Sequence, residues 1–237
     1  MATRAITFDF WRTLFRDHGG PDRWRLRASA FARITGAEED AVLAAFETVN
    51  PVFQQHHLEH QETLTPLDAI HIVSEELGVE LEQSQTGELA EVFATAIIHH
   101  SPVPIENALD AVREAAGRAP VGIVSDSGIS PGSSLRVLLD RHGFTPYLGA
   151  MAFSDEVKVS KPQPAMFETA ARGLAVEPSE LLHIGDLEFT DIEGALGVRA
   201  KAALFAGDNT RHLGATRADY TFTSWNEFLE MLPRLVE

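Results

Sequence analysis

The sequence predicts an α/β protein: a doubly wound parallel sheet with an all-helical block inserted after its first strand. Three observations predict it. Short apolar runs that suit buried strands alternate with helical periodicities from residue 106 onward. The chain between the first apolar run and residue 102 is helical in pattern throughout. Polar residues recur at the ends of the apolar runs, where sheets of this kind bind ligands.

The elements follow in order. "AITFDF" (5–10) is short, apolar and ends in charge, as a buried strand does. Residues 22–34 and 38–60 carry apolar residues at mixed three and four spacings. The third helix, 65–78, opens on Thr65 as N-cap with Pro66 at the first helical position, and closes on Gly78. A fourth runs over 87–100, and Pro102 and Pro104 then break the chain. Helix 106–118 leads to strand 121–125, helix 133–143 to strand 149–154, and helix 164–174 to strand 181–185. Helix 191–198 leads to strand 202–206; a short strand, 219–222, precedes a last helix, 225–236. The expected division is a core of 1–15 and 103–237 with a helical domain of 16–102.

Composition narrows the function. Nineteen Lys and Arg stand against 35 Asp and Glu, a formal charge of −16, which repels nucleic acid and anionic membrane. A small anionic substrate is still admissible, because a local cation can dominate a pocket. There is no cysteine, so thiol catalysis and disulfides are excluded. No apolar run reaches the length of a membrane span, and charges at Arg4, Asp9 and Arg12 leave no signal-peptide apolar region, so the expected location is cytoplasmic.

The strand ends supply the chemistry. Asp9 follows the first strand and reads either as a terminal residue or as a nucleophilic carboxylate. Thr13 either offers a hydroxyl to the attacked group or caps the turn. Ser125 and Asp126 end the second strand, and Asp155 follows the third. Lys161 in "VSKPQPAMF" either sits in solvent or neutralises charge on the nucleophile, with Lys158 as its rival. "HIGDLEFTD" (183–191) places Asp186 after a glycine and Asp191 five residues on, while Glu188 between them reads as solvated. Asp9 and Asp186 would offer hard oxygen ligands suited to Mg²⁺.

In this order and spacing the motifs resemble those of the haloacid dehalogenase-like (HAD) hydrolases, C1-capped subfamily I. The match covers the whole chain, and the helical block falls where that family inserts its cap. The resemblance implies a Rossmann-like core with Asp9 as nucleophile. It implies that Thr13, Ser125 and Lys161 assist, with Ser125, Asp126 and Lys161 against the substrate. It implies Mg²⁺ held by Asp9, the Trp11 backbone carbonyl and Asp186, with Asp191 ligating through water or holding Lys161. The expected activity is phosphate hydrolysis on a small, anionic metabolite through an aspartyl-phosphate.

Trp11 departs from the pattern, since phosphatases of this family usually carry a second aspartate there. Tryptophan cannot protonate a leaving oxygen or activate water, and losing such a group typically costs about 10²–10⁴-fold. Haloacid dehalogenases also have an aromatic residue there, so an aspartyl-ester route to halide release is the alternative. Against it stand Asp126, where those enzymes have asparagine, and the retained Asp186. A catalytically idle binding module is the third reading. In the helical block, Arg23, Arg25 and Arg27 are candidates for a substrate anion. His56, His57 and His60, with His99 and His100, invite a metal reading but read mainly as surface residues, and a single one of them could replace the missing acid.

Overall fold

A computed structural model of the chain describes residues 2–236. β1 (Ala5–Phe8) and β2 (Phe15–Arg16) precede four helices, α1 (Gly20–Thr35), α2 (Glu39–His60), α3 (Pro66–Leu77) and α4 (Gln83–His99). β3 (Val103–Pro104) and α5 (Ala108–Ala116) follow, then β4 (Val121–Ser125), α6 (Gly132–Arg141), β5 (Ala150–Phe153), α7 (Ser154–Val157) and α8 (Pro164–Gly173). β6 (Leu181–Gly185), α9 (Glu193–Gly197), β7 (Lys201–Phe205), β8 (Tyr220–Phe222) and α10 (Trp225–Leu235) complete the chain.

Six strands form one sheet in the order β5-β4-β1-β6-β7-β8, and every pairing is parallel. The central strands are buried along their whole length, as helices on both faces require. Strand alternation divides the apolar residues between two layers. Ile6, Phe8, Ile123 and Ile184 pack with Val112 of α5 and Phe228 of α10 on one face. Ala5, Val124, Leu181 and Leu204 pack with Met166 and Phe167 of α8 and Ala195 of α9 on the other. A third apolar core, with Phe31, Phe46, Val73 and Phe93, lies among α1–α4, the inserted helical cap. The chain enters and leaves the cap through an antiparallel pair, with Phe15 opposite Pro104 and Arg16 opposite Val103. Among the described residues no helix is long and apolar enough to cross a membrane.

Boundaries moved where capping chemistry overrode periodicity. α4 begins at Gln83 because Gln85 accepts from the Glu82 backbone N–H at 2.9 Å, which starts the helix ahead of Gly87. α3 starts as expected, with Asp68 accepting from the Thr65 backbone N–H at 2.6 Å and Pro66 in the first turn. β1 stops at Phe8 because the chain folds back on itself: the Leu14 and Phe15 amides both donate to the Phe10 carbonyl. The predicted helix 191–198 is divided into a π-helical turn, Glu188–Ile192, and α9.

Candidate active site

The site is assembled at the carboxyl ends of three adjacent strands. Asp9 follows β1, the strand between β4 and β6, so it has Ser125 on one side and Asp186 on the other. Ser125 Oγ donates to Asp9 Oδ1 at 3.0 Å. Lys161, from the loop before α8, donates from Nζ to the same oxygen at 2.6 Å and to Asp191 Oδ1 at 2.6 Å. Its backbone N–H donates to Asp126 Oδ1 at 2.9 Å. Lys161 is 2% exposed, so its ammonium depends on these carboxylates. Burial pulls its pKa down, but Asp191, Asp9 and Asp126 outweigh that and hold it charged. The rival Lys158 is exposed and turns its Nζ to the Asp155 carbonyl at 2.8 Å.

Asp191 sits in the π-helical turn with both oxygens engaged. Oδ1 faces Lys161 and His183 Nε2, the latter at 3.0 Å, and Oδ2 accepts from the Leu187 backbone N–H at 3.0 Å. Asp191 thus shares Lys161 Nζ with Asp9. Burial raises its pKa, but Lys161 and His183 reverse this and keep it ionised far below the usual range. Gly185 is required by this approach: a Cβ there would meet the Asp191 carboxyl carbon at 2.1 Å. The glycine thus serves the contact between β6 and the π-helical turn.

Sequence reasoning missed His183 and Asn209. Thr7 and His183 are directly opposed in the β1–β6 register, and Thr7 Oγ1 lies 3.0 Å from His183 Nδ1. Because Nε2 faces a carboxylate, it carries the proton and Nδ1 accepts from the threonine. Burial pushes the His183 pKa down against the pull of Asp191, so the ring is neutral. Its signal was available: a histidine inside the otherwise apolar "LLHIG" needs buried partners. Asn209, from the loop after β7, donates from Nδ2 to Asp186 Oδ2 at 2.7 Å, and nothing in the sequence marked it.

Asp9 and Asp186 carry the remaining charge. Burial raises the Asp9 pKa to about 6 against the opposing pull of Lys161. Burial, then the charges of Asp191 and Asp9, push Asp186 up to about 7. Asp126 is also raised to about 6, first by burial. Among the described residues no group of three or more His, Cys, Asp or Glu side chains is disposed to hold a metal. The side chains left to face a cation are thus the two carboxylates of Asp9 and Asp186. Hard oxygen donors that repel each other in a buried site fit a divalent cation such as Mg²⁺.

The other predicted residues are placed as follows. Thr13 is fully buried, its hydroxyl has no partner among the described residues, and its carbonyl accepts from Trp225 Nε1 at 3.2 Å. Trp11 is half-buried and packs edge-on against Phe10, with ring centroids 5.1 Å apart. Arg12 takes a left-handed φ of 56° and binds Asp208 through Nε at 3.1 Å. Asp155 reaches the rim but accepts from Ser127 Oγ and the Gly132 amide, so it fixes the loop before α6. Glu188 was expected in solvent; it accepts from Thr216 Oγ1 at 2.6 Å and the Arg217 amide at 2.9 Å, fastening the 216–217 loop.

Two cavities flank the site between cap and core, and both include Ser127. One, about 580 Å³, is lined by Phe53, His57, Leu64, Phe189 and Arg211 among others. The other, about 290 Å³, holds Trp11, Arg23 and Arg27. A third cavity, about 630 Å³, lies on the cap around Ile70 and Leu81 and contains none of the predicted site residues. Of the seven histidines in 16–102, His57 is the one that lines a cavity beside the site. His56 lies 3.6 Å from Glu62, and His99 and His100 line a separate hollow with Leu26. Burial and the Lys161 charge lower the His57 pKa, which suits a neutral imidazole better than a proton donor.

The charge at Asp186 has a stability consequence. Its folded pKa lies above that of the unfolded chain, so ionising it costs folding free energy. The cation-free protein should therefore lose stability as pH rises from about 4 through 7, by on the order of 2–4 kcal/mol at this residue. Asp186→Asn keeps an acceptor for Asn209 and is expected to raise the cation-free Tm by roughly 4–10 °C at about pH 7.5. The same substitution should abolish the Tm gain that Mg²⁺ gives the parent protein. Thermal melts at about pH 5.5 and 7.5, with Mg²⁺ and with chelator, check this. A parent protein that gains nothing from Mg²⁺ at the higher pH would contradict it.

Comparisons with known proteins agree with this architecture. A model of the haloacid dehalogenase-like hydrolases matches residues 3–215. The chain is 34% identical over 84 residues to a glyceraldehyde 3-phosphate phosphatase of Pyrococcus furiosus, which covers 34% of this chain and 35% of that one. It is 26% identical over 149 residues to the pyrimidine 5'-nucleotidase YjjG of Escherichia coli, covering 62% and 64%. The matched stretches thus span from about a third to under two thirds of these relatives. Among solved structures, the HAD-hydrolase YfnB of Bacillus subtilis, bound to magnesium, superposes with a TM-score of 0.69 at 16% identity, covering 98% of this chain and 99% of that one. A 2-haloacid dehalogenase of Pseudomonas syringae gives 0.69 at 17% identity, covering 98% and 99%. At these identities the structures establish the fold, and the family model decides membership: the chain belongs to the haloacid dehalogenase-like hydrolases.

Proposed function

We propose that this protein is a Mg²⁺-dependent phosphatase of a small phosphorylated metabolite, working through an aspartyl-phosphate on Asp9. The observation that carries the reading is the pairing of Asp9 with a buried lysine on one side and a buried, unneutralised Asp186 on the other. Halide displacement needs no cation, whereas phosphoryl transfer brings further negative charge to a site that already repels itself. The names of the Pyrococcus furiosus and Escherichia coli relatives point the same way.

Asp9 Oδ1 is held by Ser125 and Lys161, and Oδ2 has no hydrogen-bond partner among the described residues. Oδ2 attacks phosphorus, the Oδ2–P bond forms, and the bond to the leaving oxygen breaks. Lys161 and Ser125 then lie where they donate to the transferred group and to the carboxylate. Water next attacks phosphorus, which releases inorganic phosphate and restores the Asp9 carboxylate. His183 and Thr7 fix Asp191, and Asp191 fixes Lys161, so the ammonium meets the reaction already oriented. Mg²⁺, held by Asp9, Asp186 and the Trp11 carbonyl, would neutralise charge on the transferring group.

We further propose the division into a core of 1–15 and 103–237 and a cap of 16–102, with the β2–β3 pair as the joint between them. A cap closing over the site would exclude water from the first step. A panel of aryl, acyl and alkyl phosphates and 2-haloacids, run with Mg²⁺ and with chelator, tests the function. Mg²⁺-dependent phosphate release is the expected result. Metal-independent halide release would replace this reading with the dehalogenase. A protein that turns over neither class but binds phosphonates would be the idle module.

A further inference from the structure

The larger of the two cavities beside the site is apolar over most of its wall. The cap contributes Phe53 and Leu58 from α2 and Leu64 from the loop before α3. The core contributes Leu187 and Phe189, from the segment that follows Asp186. Among the described residues eight large apolar side chains are exposed, and Leu58, Leu187 and Phe189 are three of them. Exposed apolar residues scattered singly need no explanation, but a cluster of them in one concave wall marks a binding surface.

The local fold keeps that wall turned to the cleft. Glu188 turns away to Thr216 and the Arg217 amide, which leaves the apolar residues on either side of it along the cavity. The Leu187 N–H donates to Asp191 Oδ2, so the backbone that carries the wall is tied to the carboxylate that holds Lys161. Glu62 and Arg211 also line the cavity, and both are exposed, where solvent screens their charge. The cavity adjoins the reacting centre: Ser127 lies two residues beyond Ser125, and Thr190 directly before Asp191. An apolar cavity of about 150 Å³ is enough to hold benzene, so one of about 580 Å³ admits a substituted ring.

A second observation narrows the class. Trp11 supplies no proton to a leaving oxygen, so the site suits an oxygen that departs without one. A phenolic oxygen, with a pKa of about 10, does so far better than an alkyl oxygen. We propose that the substrate is the phosphate monoester of an aryl alcohol, its ring lodged in the cleft lined by Phe53 and Phe189. The inference rests on the phosphatase reading for the group at Asp9. As Asp9 Oδ2 bonds to phosphorus, the bond from phosphorus to the ring oxygen breaks and its electron pair leaves with that oxygen. The aryloxide then takes its proton from water. Aromatic walls favour a ring over a polyol, because ring–ring contacts add to the burial of apolar area.

The test is calorimetric binding of three non-hydrolysable probes in the presence of Mg²⁺: phenyl-, cyclohexyl- and methylphosphonate. The parent protein is expected to bind the phenyl probe about 10- to 100-fold more tightly than the methyl one. Cyclohexylphosphonate should bind about 2- to 10-fold less tightly than phenylphosphonate. Phe189→Ala should cut the phenyl-to-methyl ratio to about threefold or less. Leu67→Ala, in the separate cap cavity, should preserve it. Leu58 is 64% exposed, so Leu58→Ala leaves the fold intact and repeats the measurement from the cap side, again with a lowered ratio. Equal affinities in the parent, or a ratio that neither variant moves, overturn the proposal; the wall is then only a contact between cap and core. Cyclohexylphosphonate binding as tightly as phenylphosphonate overturns the aryl assignment. If none of the phosphonates binds the parent, the phosphatase reading fails by itself, and the fluorescence anisotropy of 2-naphthol then decides the cleft. A rise in the parent that is lost in Phe189→Ala supports an aryl site independent of phosphate chemistry. No rise, or a rise that Phe189→Ala keeps, overturns it.

Discussion

Asp9→Asn is expected to lower phosphate-ester turnover by at least about 10⁴-fold while leaving the fold in place. The amide oxygen still accepts from Ser125 and Lys161, so the two hydrogen bonds to Oδ1 persist. Lys161 keeps Asp191 as its counter-ion, which avoids an orphaned buried ammonium. The loss is therefore chemical, because an amide oxygen is far too weak a nucleophile. Phosphate release and a thermal melt on the same preparation check both halves. In the parent protein, kcat/KM should fall at acid pH, since the attacking form is the carboxylate; burial raises its pKa to about 6 without a cation, and bound Mg²⁺ would bring the midpoint below that. A variant that turns over at the parent rate would remove Asp9 as the nucleophile. A variant that loses activity only because it unfolds would move the residue to a structural role.

The strand-end carboxylates were legible because a parallel sheet leaves few places for charge. Each short apolar run ends at the same rim, so Asp9, Ser125 and Asp186 could be placed together from their positions alone. Lys161 is preferred to Lys158 because it abuts the helix-opening "KPQP", and the fold turns Lys161 inward to Asp9 and Lys158 to the Asp155 carbonyl. Helix starts were legible where the cap is local, as at Thr65, and misplaced where a glycine masked it, as at Gly87. The partnerships that organise the site were not legible. His183 meets Asp191 across eight residues through a π-helical turn, and Asn209 meets Asp186 from a loop two elements on. The isolation of Arg27 was equally invisible, since a sequence shows three arginines on one helix but not which of them lacks an acid. Such facts depend on register and packing between distant segments, and residue patterns carry only the local part.

Trp11 makes the second large prediction. An enzyme without an acid two residues past its nucleophile should depend strongly on leaving-group quality. An aryl or acyl oxygen leaves as an anion, whereas an alkyl oxygen needs a proton that an indole cannot give. The neutral His57 is poorly suited to supply it. Alkyl phosphates should accordingly be slower than aryl phosphates in the chemical step by about 10²–10⁴-fold, the usual worth of a general acid. Trp11→Asp should recover part of that difference on alkyl phosphates and little on aryl phosphates. The structure limits the gain. Trp11 lines the cavity of Arg23 and Arg27, so a carboxylate placed there meets two guanidiniums, one of them unpaired. Such a pair lowers a carboxyl pKa and holds it ionised, the wrong state for proton donation. The single variant is thus expected to gain roughly tenfold or less, since its carboxylate is both turned aside and too acidic. Adding Arg27→Met removes the competing cation, and the double variant should exceed the single one on alkyl phosphates by about tenfold in single-turnover rate. Burst-phase measurement separates this from any change in product release. Equal chemical rates on alkyl and aryl phosphates in the parent would show that another group already delivers the proton. Trp11 would then act solely as an apolar part of the wall of the cavity that Arg23 and Arg27 also line.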